Sequence, residues 1–295
     1  MSARKVIIMA RPRGWHARAL QAAFLRRRAS VDFAPADGLQ ARLGTEPGVA
    51  AGARRLSDAD LVIVREVPGG SLEQVIYRMD ALHQLENSGV RLINSPYAIE
   101  KMVDKYYALS LLESAGLRVP ETRLSEDSAE ALAAFRLLGG DVVLKPLFGS
   151  RGVGMVRLTD AETAGRVFRA LQLGGTVYYL QQFIEHEDRD LRVLVAGGEC
   201  LAAMQRVSSG WKTNLAAGGR AEPFALTDEV RRASLAAARA VGADYCGVDL
   251  LRSPQGELFL LEVNSMPAWQ GLQKVTPFDI AGRLVDFFLR TAASA

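Results

Sequence analysis

The sequence predicts a parallel α/β domain followed by two α+β lobes, from the way strands and helices succeed one another. Over residues 1–95, short apolar runs alternate with segments of helical periodicity, a pattern that favours a parallel sheet covered by helices. In the last third, apolar runs are joined by tight glycine turns, which are typical of antiparallel hairpins. We therefore expect an α/β domain over 1–95, a central lobe over 96–180 and a C-terminal lobe over 181–295.

In the first domain, apolar runs predict strands and amphipathic segments predict helices. The expected strands are Lys5–Ala10, Val31–Ala34, Leu61–Arg65 and Val90–Asn94, and the expected helices are His16–Arg28 and Ser71–Ser88. Arg11, Arg13 and Arg65 follow strands at the carboxyl edge of this sheet, where an open parallel sheet has its crevice. They are candidates to hold an anionic substrate.

The two lobes are predicted from caps and turns. Ser95 followed by Pro96 is typical of a helix start, and Asp104 and Asp127 are further helix caps. The remaining predicted helices are Ala161–Leu173, Asp228–Val241 and Phe278–Arg290. The predicted strands are Asp141–Leu147, Gly154–Leu158, Val177–Ile184, Asp190–Val195, Glu199–Val207, Gly247–Arg252 and Glu257–Asn264.

Composition limits the classes of partner. The formal net charge is only +3 with both signs interspersed, which argues against a nucleic-acid partner. The first apolar stretch, Val6–Ala10, is too short for a signal segment or a membrane span. Cys200 and Cys246 lack metal-ligand spacing and fit a reducing compartment. We expect a cytoplasmic protein with no membrane partner.

The last predicted hairpin carries a cluster of oxygen ligands. If it turns through the two residues Gln255 and Gly256, Asp249 lies directly opposite Glu262, and Asn264 shares the face of Glu262. Opposed carboxylates destabilise a sheet unless a cation lies between them, so this set predicts a Mg²⁺ or Mn²⁺ site beside phosphate. The alternative is an ordinary polar hairpin edge with solvated carboxylates.

A glycine-rich loop supplies the second signal. Lys145 ends the buried apolar run that starts at Val142, and a buried ammonium needs an anion. Small residues just beyond it can bring backbone N–H groups close to phosphate oxygens: Gly149, Ser150, Gly152 and Gly154. The loop joins two strands, unlike a Walker or Rossmann loop, which opens a helix. The alternative is a flexible surface turn beside a lysine whose stem alone is buried.

Taken together, these segments resemble the ATP-grasp superfamily, and within it the RimK-like α-L-glutamate ligases, with features of the tetrahydromethanopterin-type branch. The resemblance covers roughly residues 90–290 in seven ordered blocks. The blocks are Asn94-Ser95-Pro96 with Asp104-Lys105, Val143–Lys145 with Gly149–Gly154, Gln181–Ile184, Asp190–Arg192, Lys212–Leu215, Gly247–Asp249 and Glu262–Asn264. It implies an ATP-grasp fold in which two α+β lobes grip ATP behind a small Rossmann-like domain.

The resemblance also implies roles for individual residues. Lys105 and Lys145 would contact the phosphates of ATP under the glycine loop, with Lys212 and Asn214 near the triphosphate. Gln182, Phe183 and Ile184 would form the hinge that reads adenine, and Asp190 would lie near the ribose. Asp249, Glu262 and Asn264 would hold Mg²⁺ or Mn²⁺, two ions in all. Arg192 and Arg206 would face the same cavity and hold an acylphosphate or an oxyanion.

The function that follows is ATP-dependent joining of a carboxylate to an amine through an acylphosphate, with L-glutamate or another amino acid as the amine. The acceptor would be a small molecule or coenzyme, or a protein tail, and the enzyme a homo-oligomer. Two positions depart from the family: Gln182 replaces the usual glutamate, and Ala268 follows Pro267 where glycine is usual. The alternatives are a glutathione-synthetase-like or D-alanine–D-alanine-like ligase, and a non-catalytic ATP-binding module.

Overall fold

The structure is a computed structural model that describes residues 5–149 and 152–294. Its first unit is built on a sheet of order β2-β1-β6-β7 in which every pairing is parallel, as predicted. The strands are β1 (Val6–Met9), β2 (Val31–Ala34), β6 (Leu61–Val64) and β7 (Arg91–Ile93), and the helices are α1 (Trp15–Arg26) and α2 (Leu72–Asn87).

A second, three-stranded antiparallel sheet in this unit was not predicted. It is formed by β3 (Leu39–Arg42), β4 (Gly48–Ala51) and β5 (Arg54–Arg55). These strands are two to four residues long, and most residues of β3 and β5 are exposed. Short, exposed strands show little hydrophobic alternation, so the sequence carried no periodic signal for them.

Two consecutive helices lead from the first unit to the site. Helix α3 (Pro96–Val103) starts at Ser95, whose hydroxyl accepts from the Ala98 N–H, and α4 (Lys105–Ser114) starts at Asp104, which caps the Tyr107 N–H at 3.0 Å. Most of their buried residues pack in the core formed by the C-terminal sheet and the helix that follows its third strand, while Ile99 packs in the core of the first unit. Because Asp104 breaks the helix, Lys105 stands at the first position of α4.

The central sheet is antiparallel, with the order β10-β9-β11-β8. Its elements are β8 (Thr122–Ser125), α5 (Ser128–Leu137), β9 (Val142–Lys145), β10 (Val156–Leu158), α6 (Ala161–Gln172) and β11 (Tyr178–Gln182). Strand β8 was not predicted. Strand β11 ends at Gln182, two residues beyond the predicted end of the central lobe at residue 180. Helices α5 and α6 cover one face through Phe135 and Phe168, which leaves the other face for the cleft described below.

The C-terminal sheet has five strands in the order β14-β13-β12-β15-β16. Its elements are β12 (Arg189–Ala196), β13 (Glu199–Val207), β14 (Arg220–Pro223), α7 (Asp228–Val241), β15 (Tyr245–Arg252), β16 (Leu258–Asn264), α8 (Gln270–Lys274) and α9 (Ile280–Ser294). Alternation along β12 sends Val193 and Val195 toward α7, and Leu194 and Ala196 toward α9 and the first unit. Among the described residues, no helix is both long and apolar enough to cross a membrane.

The turn of the β15–β16 hairpin differs from the two-residue turn that the sequence predicted. Leu250 pairs with Leu260, and the Ser253 N–H donates to the Glu257 carbonyl, so the loop contains three residues, 254–256. A register shift between Asp249 and Leu250 inserts one extra residue on β16. This bulge cancels the change in the turn and returns Asp249 to its predicted position opposite Glu262.

Asn94 joins the first unit to the C-terminal sheet. Its side chain is fully buried at the end of β7. The amide nitrogen donates to the carbonyls of Tyr245 at 2.7 Å and Ser265 at 2.8 Å, and the amide oxygen accepts from the Tyr245 N–H at 2.9 Å. One side chain therefore satisfies three buried backbone groups on both sides of the β15–β16 hairpin.

We predict that Asn94→Ala lowers the free energy of unfolding by roughly 2–4 kcal/mol, because it leaves buried backbone groups of Tyr245 and Ser265 unpaired. Urea unfolding followed by circular dichroism measures the change. Asn87→Ala, at the exposed end of α2, is the matched control and should stay within about 0.5 kcal/mol of the wild type. Equal effects of the two substitutions would contradict this role of Asn94.

Candidate active site

A cleft opens between the central and C-terminal sheets. Its lining contains most of the residues singled out from the sequence: Lys105, Lys145, Gly149, Gly152, Gln182, Phe183, Ile184, Asp190, Arg206, Lys212, Asn214, Asp249 and Glu262. Gly154 lies between the lining residues Val153 and Met155. Arg192 and Asn264 each lie two positions along the chain from a lining residue, Asp190 and Glu262 respectively, and Ser150 lies outside the described residues. Residues more than 150 positions apart thus meet around one space.

The carboxylates of Asp249 and Glu262 lie at the C-terminal side of this cleft. They are directly opposite each other on β15 and β16, and Asn264 lies two residues further along β16. Asp249 is buried, and its carboxylate accepts from Arg192 through Nε and through Nη2, the latter at 2.6 Å. Arg206 Nη2 lies 3.2 Å from the same carboxylate. Both arginines therefore act on one acid.

Arg206 extends this contact to a second buried acid. Its Nε and Nη2 donate to the two oxygens of Asp190, at 2.6 and 2.5 Å, and Thr213 Oγ1 also donates to Asp190, at 2.7 Å. Asp190 and Arg206 are opposite each other on β12 and β13, as are Arg192 and Asp249 on β12 and β15. Charges of alternating sign thus cross three strands. Three donors therefore already hold the Asp190 carboxylate. Its predicted contact with the ribose of ATP stays a prediction.

The two opposed carboxylates have different electrostatic environments. Burial opposes the charge of Asp249, but the guanidinium groups of Arg192 and Arg206 outweigh it and hold the pKa of Asp249 below its usual value. Burial, together with the charge of Asp249, raises the pKa of Glu262, although Lys105, Arg192 and Lys145 oppose the rise. A divalent cation between the two acids would relieve their repulsion.

The donor set fits a hard divalent cation. Asn264 Nδ2 lies 3.5 Å from the Gly247 carbonyl, which leaves its Oδ1 as an acceptor. Within residues 5–149 and 152–294, no group of three His, Cys, Asp or Glu side chains could hold a metal ion, so a cation bound between Asp249 and Glu262 would need a further oxygen ligand such as the amide of Asn264. Two carboxylates and an amide oxygen suit Mg²⁺ or Mn²⁺.

Two lysines face these acids from the other side of the cleft. Lys145 Nζ donates to Gln181 Oε1 at 2.5 Å, and burial lowers the pKa of Lys145 to about 8, with the charge of Lys105 acting in the same direction and Glu262 opposing it. Lys105 Nζ donates to the Gly149 carbonyl at 2.8 Å, and burial lowers its pKa as well. Both ammonium groups are thus partly desolvated and suited to bind an anion.

The glycine loop connects β9 to β10 and packs against the Lys212–Asn214 segment. Lys212 Nζ donates to the Met155 carbonyl at 2.7 Å, so the far end of the loop is held in addition to the Lys105 contact. Gly152 has a φ of +73°, and a Cβ added there would lie 2.6 Å from Asn214 Oδ1. Only glycine allows this close approach.

At the other end of the cleft, the predicted hinge surrounds Phe183. The guanidinium of Arg157 lies 3.4 Å from the centroid of the Phe183 ring and is held by Asp141 through bonds of 2.8 and 2.6 Å. Trp211 contacts Phe183 edge-on with centroids 6.3 Å apart. The Gln182 side chain is exposed, while that of Gln181 is buried.

The site predicted from the sequence did not include Gln181, Trp211 or Arg157. Gln181 and Trp211 line the cleft, as does His186, and Arg157 supports Phe183. Gln181 opens one recognised block and Trp211 directly precedes another, which is a signal that could have found them. Arg157 carries no such signal, because its position beside Phe183 depends on the meeting of β10 with the segment that follows β11.

Arg65 was a candidate from the sequence to hold an anionic substrate. In the structure its guanidinium binds protein groups. Its Nη1 donates to Tyr245 Oη at 2.8 Å and to the Pro267 carbonyl at 2.9 Å, and its guanidinium lies 4.8 Å from the Trp269 ring centroid. These contacts tie the first unit to the loop that follows β16. Arg11 is 71% exposed and lies 3.6 Å from Asp37, away from these contacts.

Comparison with known proteins gives this cleft a family context. Residues 102–288 match the family described as the RimK-like ATP-grasp domain. The chain is 35% identical over 251 residues to the tetrahydromethanopterin:alpha-L-glutamate ligase of Methanosarcina acetivorans, covering 75% of this chain and 77% of the relative. It is 36% identical over 243 residues to the probable alpha-L-glutamate ligase of Aliivibrio fischeri, covering 81% and 79%.

Solved structures support the fold. The ATP-grasp ligase PsnB, complexed with its minimal precursor, Mg and ADP, is similar to this chain with a TM-score of 0.76 over 99% of both chains. The two sequences are 20% identical, so this likeness shows the fold alone. The predicted ATP-grasp fold and the RimK-like resemblance are thereby confirmed.

The lowered pKa of Lys145 predicts a pH dependence of ADP binding. Below about pH 8 the free protein carries this lysine charged, and above that pH the ammonium must regain a proton before it meets phosphate. The dissociation constant for ADP should therefore rise by roughly tenfold per pH unit above 8. Calorimetric titrations at fixed ionic strength between pH 7 and 9.5 measure it.

Two substitutions distinguish the contributions of Lys145 and Lys105 to this pH dependence. Lys145→Arg keeps its charge over this range and should flatten the profile, whereas Lys105→Arg should keep the rise. A dissociation constant that is independent of pH in the wild type would contradict the assignment to Lys145.

Proposed function

Because the chain belongs to the RimK-like ATP-grasp family, we propose that it is an ATP- and Mg²⁺-dependent ligase that joins the amine of L-glutamate to a carboxylate acceptor. ATP-dependent carboxylate–amine ligation is the activity common to this family. The single observation that carries the proposal is the pair of opposed acids, Asp249 and Glu262, facing Lys105 and Lys145 across a cleft covered by a glycine loop.

The proposed binding roles are those that the family resemblance implies, and the contacts around the cleft support them. Lys105 and Lys145 bind phosphate oxygens, with Lys212 and Asn214 closing on the triphosphate from the opposite loop. The backbone of Gln182–Ile184 reads the adenine edge, and Asp190 lies near the ribose. Asp249, Glu262 and Asn264 would hold two Mg²⁺ ions, which would neutralise phosphate charge.

In the first step of the proposed reaction, an oxygen of the acceptor carboxylate attacks the γ-phosphorus of ATP. A P–O bond forms to the carboxylate, the bond to the β,γ-bridging oxygen breaks, and ADP leaves. The residues contribute positioning and charge rather than a covalent nucleophile. Lys145, buried and short of water, would hold the transferring oxygens without a large reorganisation of solvent.

In the second step the amine attacks the acyl carbon, a C–N bond forms, phosphate leaves, and the amine nitrogen loses a proton to solvent. Arg192 and Arg206 are proposed to stabilise the tetrahedral oxyanion. Each uses Nε and Nη2 for the carboxylates of Asp249 or Asp190, which leaves Nη1 of each guanidinium for an anion. The carboxylates of Asp249 and Asp190 fix the orientation of the Arg192 and Arg206 guanidinium groups, respectively.

We propose a small-molecule or coenzyme carboxylate as the acceptor, with a protein tail as the second candidate. The curated relatives named above support glutamate as the amine. The free thiols of Cys200 and Cys246 support a cytoplasmic location. Assembly as a homo-oligomer is supported by the family resemblance.

ADP release tests the proposal. With ATP and Mg²⁺, glutamate and other amino acids are screened against a panel of carboxylate acceptors, and the products are identified by mass spectrometry. Turnover should require both substrates. Asp249→Asn and Glu262→Gln should each lower kcat by roughly 100-fold or more, because each removes charge from the metal site.

Glu257→Gln is the matched control, since Glu257 lies on the same hairpin but is exposed and paired with Arg118. It should retain wild-type turnover. Tight ATP binding without substrate-dependent ADP release across the whole panel would favour a nucleotide-binding module and overturn the ligase proposal.

A further inference from the structure

A row of polar side chains crosses the cleft face of the central sheet beside Lys145. Gln181 on β11 is directly opposite Thr122 on β8, and Tyr179, two residues before Gln181, is opposite Lys145 on β9. The four side chains therefore share one face of the sheet. Gln181 is 2% exposed, although it lines the cleft. Neither the family resemblance nor the proposed mechanism gives it a role.

The hydrogen bonds of Thr122 determine which way the Gln181 amide faces. Thr122 Oγ1 has one proton, and it donates that proton to the Pro120 carbonyl at 2.8 Å. Toward Gln181, 3.0 Å away, the hydroxyl is therefore an acceptor, and the amide presents its NH₂ group there and to Tyr179 Oη, 3.5 Å away. The amide oxygen is consequently directed at Lys145 Nζ, 2.5 Å away. The chain Pro120–Thr122–Gln181–Lys145 runs in one direction only.

This arrangement holds the ammonium without neutralising it. The contact with Gln181 uses one of the three N–H groups of Lys145 and leaves two for phosphate oxygens. A carboxylate at the same place would form an ion pair and cancel the charge that attracts the nucleotide. The other charged groups that act on Lys145 are Glu262, Lys105 and Asp249. A neutral acceptor thus directs the lysine and keeps its charge for the ligand.

We propose that Gln181 is the positioning residue of Lys145: the relay through Thr122 aims the ammonium at the phosphates of ATP, and the neutral amide adds no negative charge to it. The inference rests on the proposed function, since it takes ATP as the ligand of this cleft. It extends that function by a residue that touches Lys145 rather than the reacting atoms.

Two pairs of variants test the role. Gln181→Glu keeps the shape of the side chain but adds a negative charge, and it should weaken Mg-ATP binding by about tenfold or more. Thr122→Val removes the hydroxyl that orients the amide and should weaken binding by roughly threefold to tenfold. Thr122→Ser restores a hydroxyl and should return the affinity to within about twofold of the wild type.

Calorimetric titration of the full chain with Mg-ATP gives the dissociation constants, and thermal melts identify any variant that fails to fold. Gln255→Glu, in the exposed hairpin turn, is the control for the added charge and should bind as the wild type does. If Gln181→Glu does not fold, the Thr122 pair decides the question alone.

The outcomes separate this inference from the proposed function. Wild-type protein that does not bind Mg-ATP would overturn both. Normal binding by the wild type, with equal affinity in Gln181→Glu, would overturn only the role of Gln181. A serine variant at position 122 as weak as the valine variant would do the same, because the hydroxyl would then not matter.

Discussion

The charge balance around Asp249 is the constraint on which the site depends. A buried acid is costly unless it is paired and hydrogen-bonded, and here two arginines on neighbouring strands meet that requirement. Arg206 is in turn held by Asp190, so four buried or nearly buried charges of alternating sign form one network. Glu262 lies outside this pairing. Its charge is left to face the lysines across the cleft and the cation that we propose.

The antiparallel sheets place these charges by register rather than by sequence spacing. Directly opposed positions on β12, β13, β15 and β16 bring the acids and arginines together, and the same principle aligns Thr122, Gln181 and Lys145 on the central sheet. A shift of one residue would send a side chain to the other face, where the apolar core lies. The bulge beside Asp249 matters for this reason.

The first unit contributes rigidity to the site. Asn94 binds backbone groups on both sides of the β15–β16 hairpin, and Arg65 binds the carbonyl of Pro267 just after it. Trp269 is fully buried beyond this loop, and its backbone N–H donates to Nε2 of His16. The turn after β16 is therefore held from the neighbouring unit, which suits a site that must keep its ligands in fixed positions.

The sequence by itself determined the elements whose signals are local. Helix α7 was predicted with its observed bounds, because Thr227 caps it and Gly242 ends it in a left-handed conformation. The parallel alternation of the first unit, the glycine loop and the ordered motifs were equally local. Only the tertiary structure decided the three-residue turn, its compensating bulge, the pairing of Asp190 with Arg206 and the direction of the Gln181 amide. Each of these depends on contacts between residues of different segments. A local sequence pattern does not determine the free energy of such contacts.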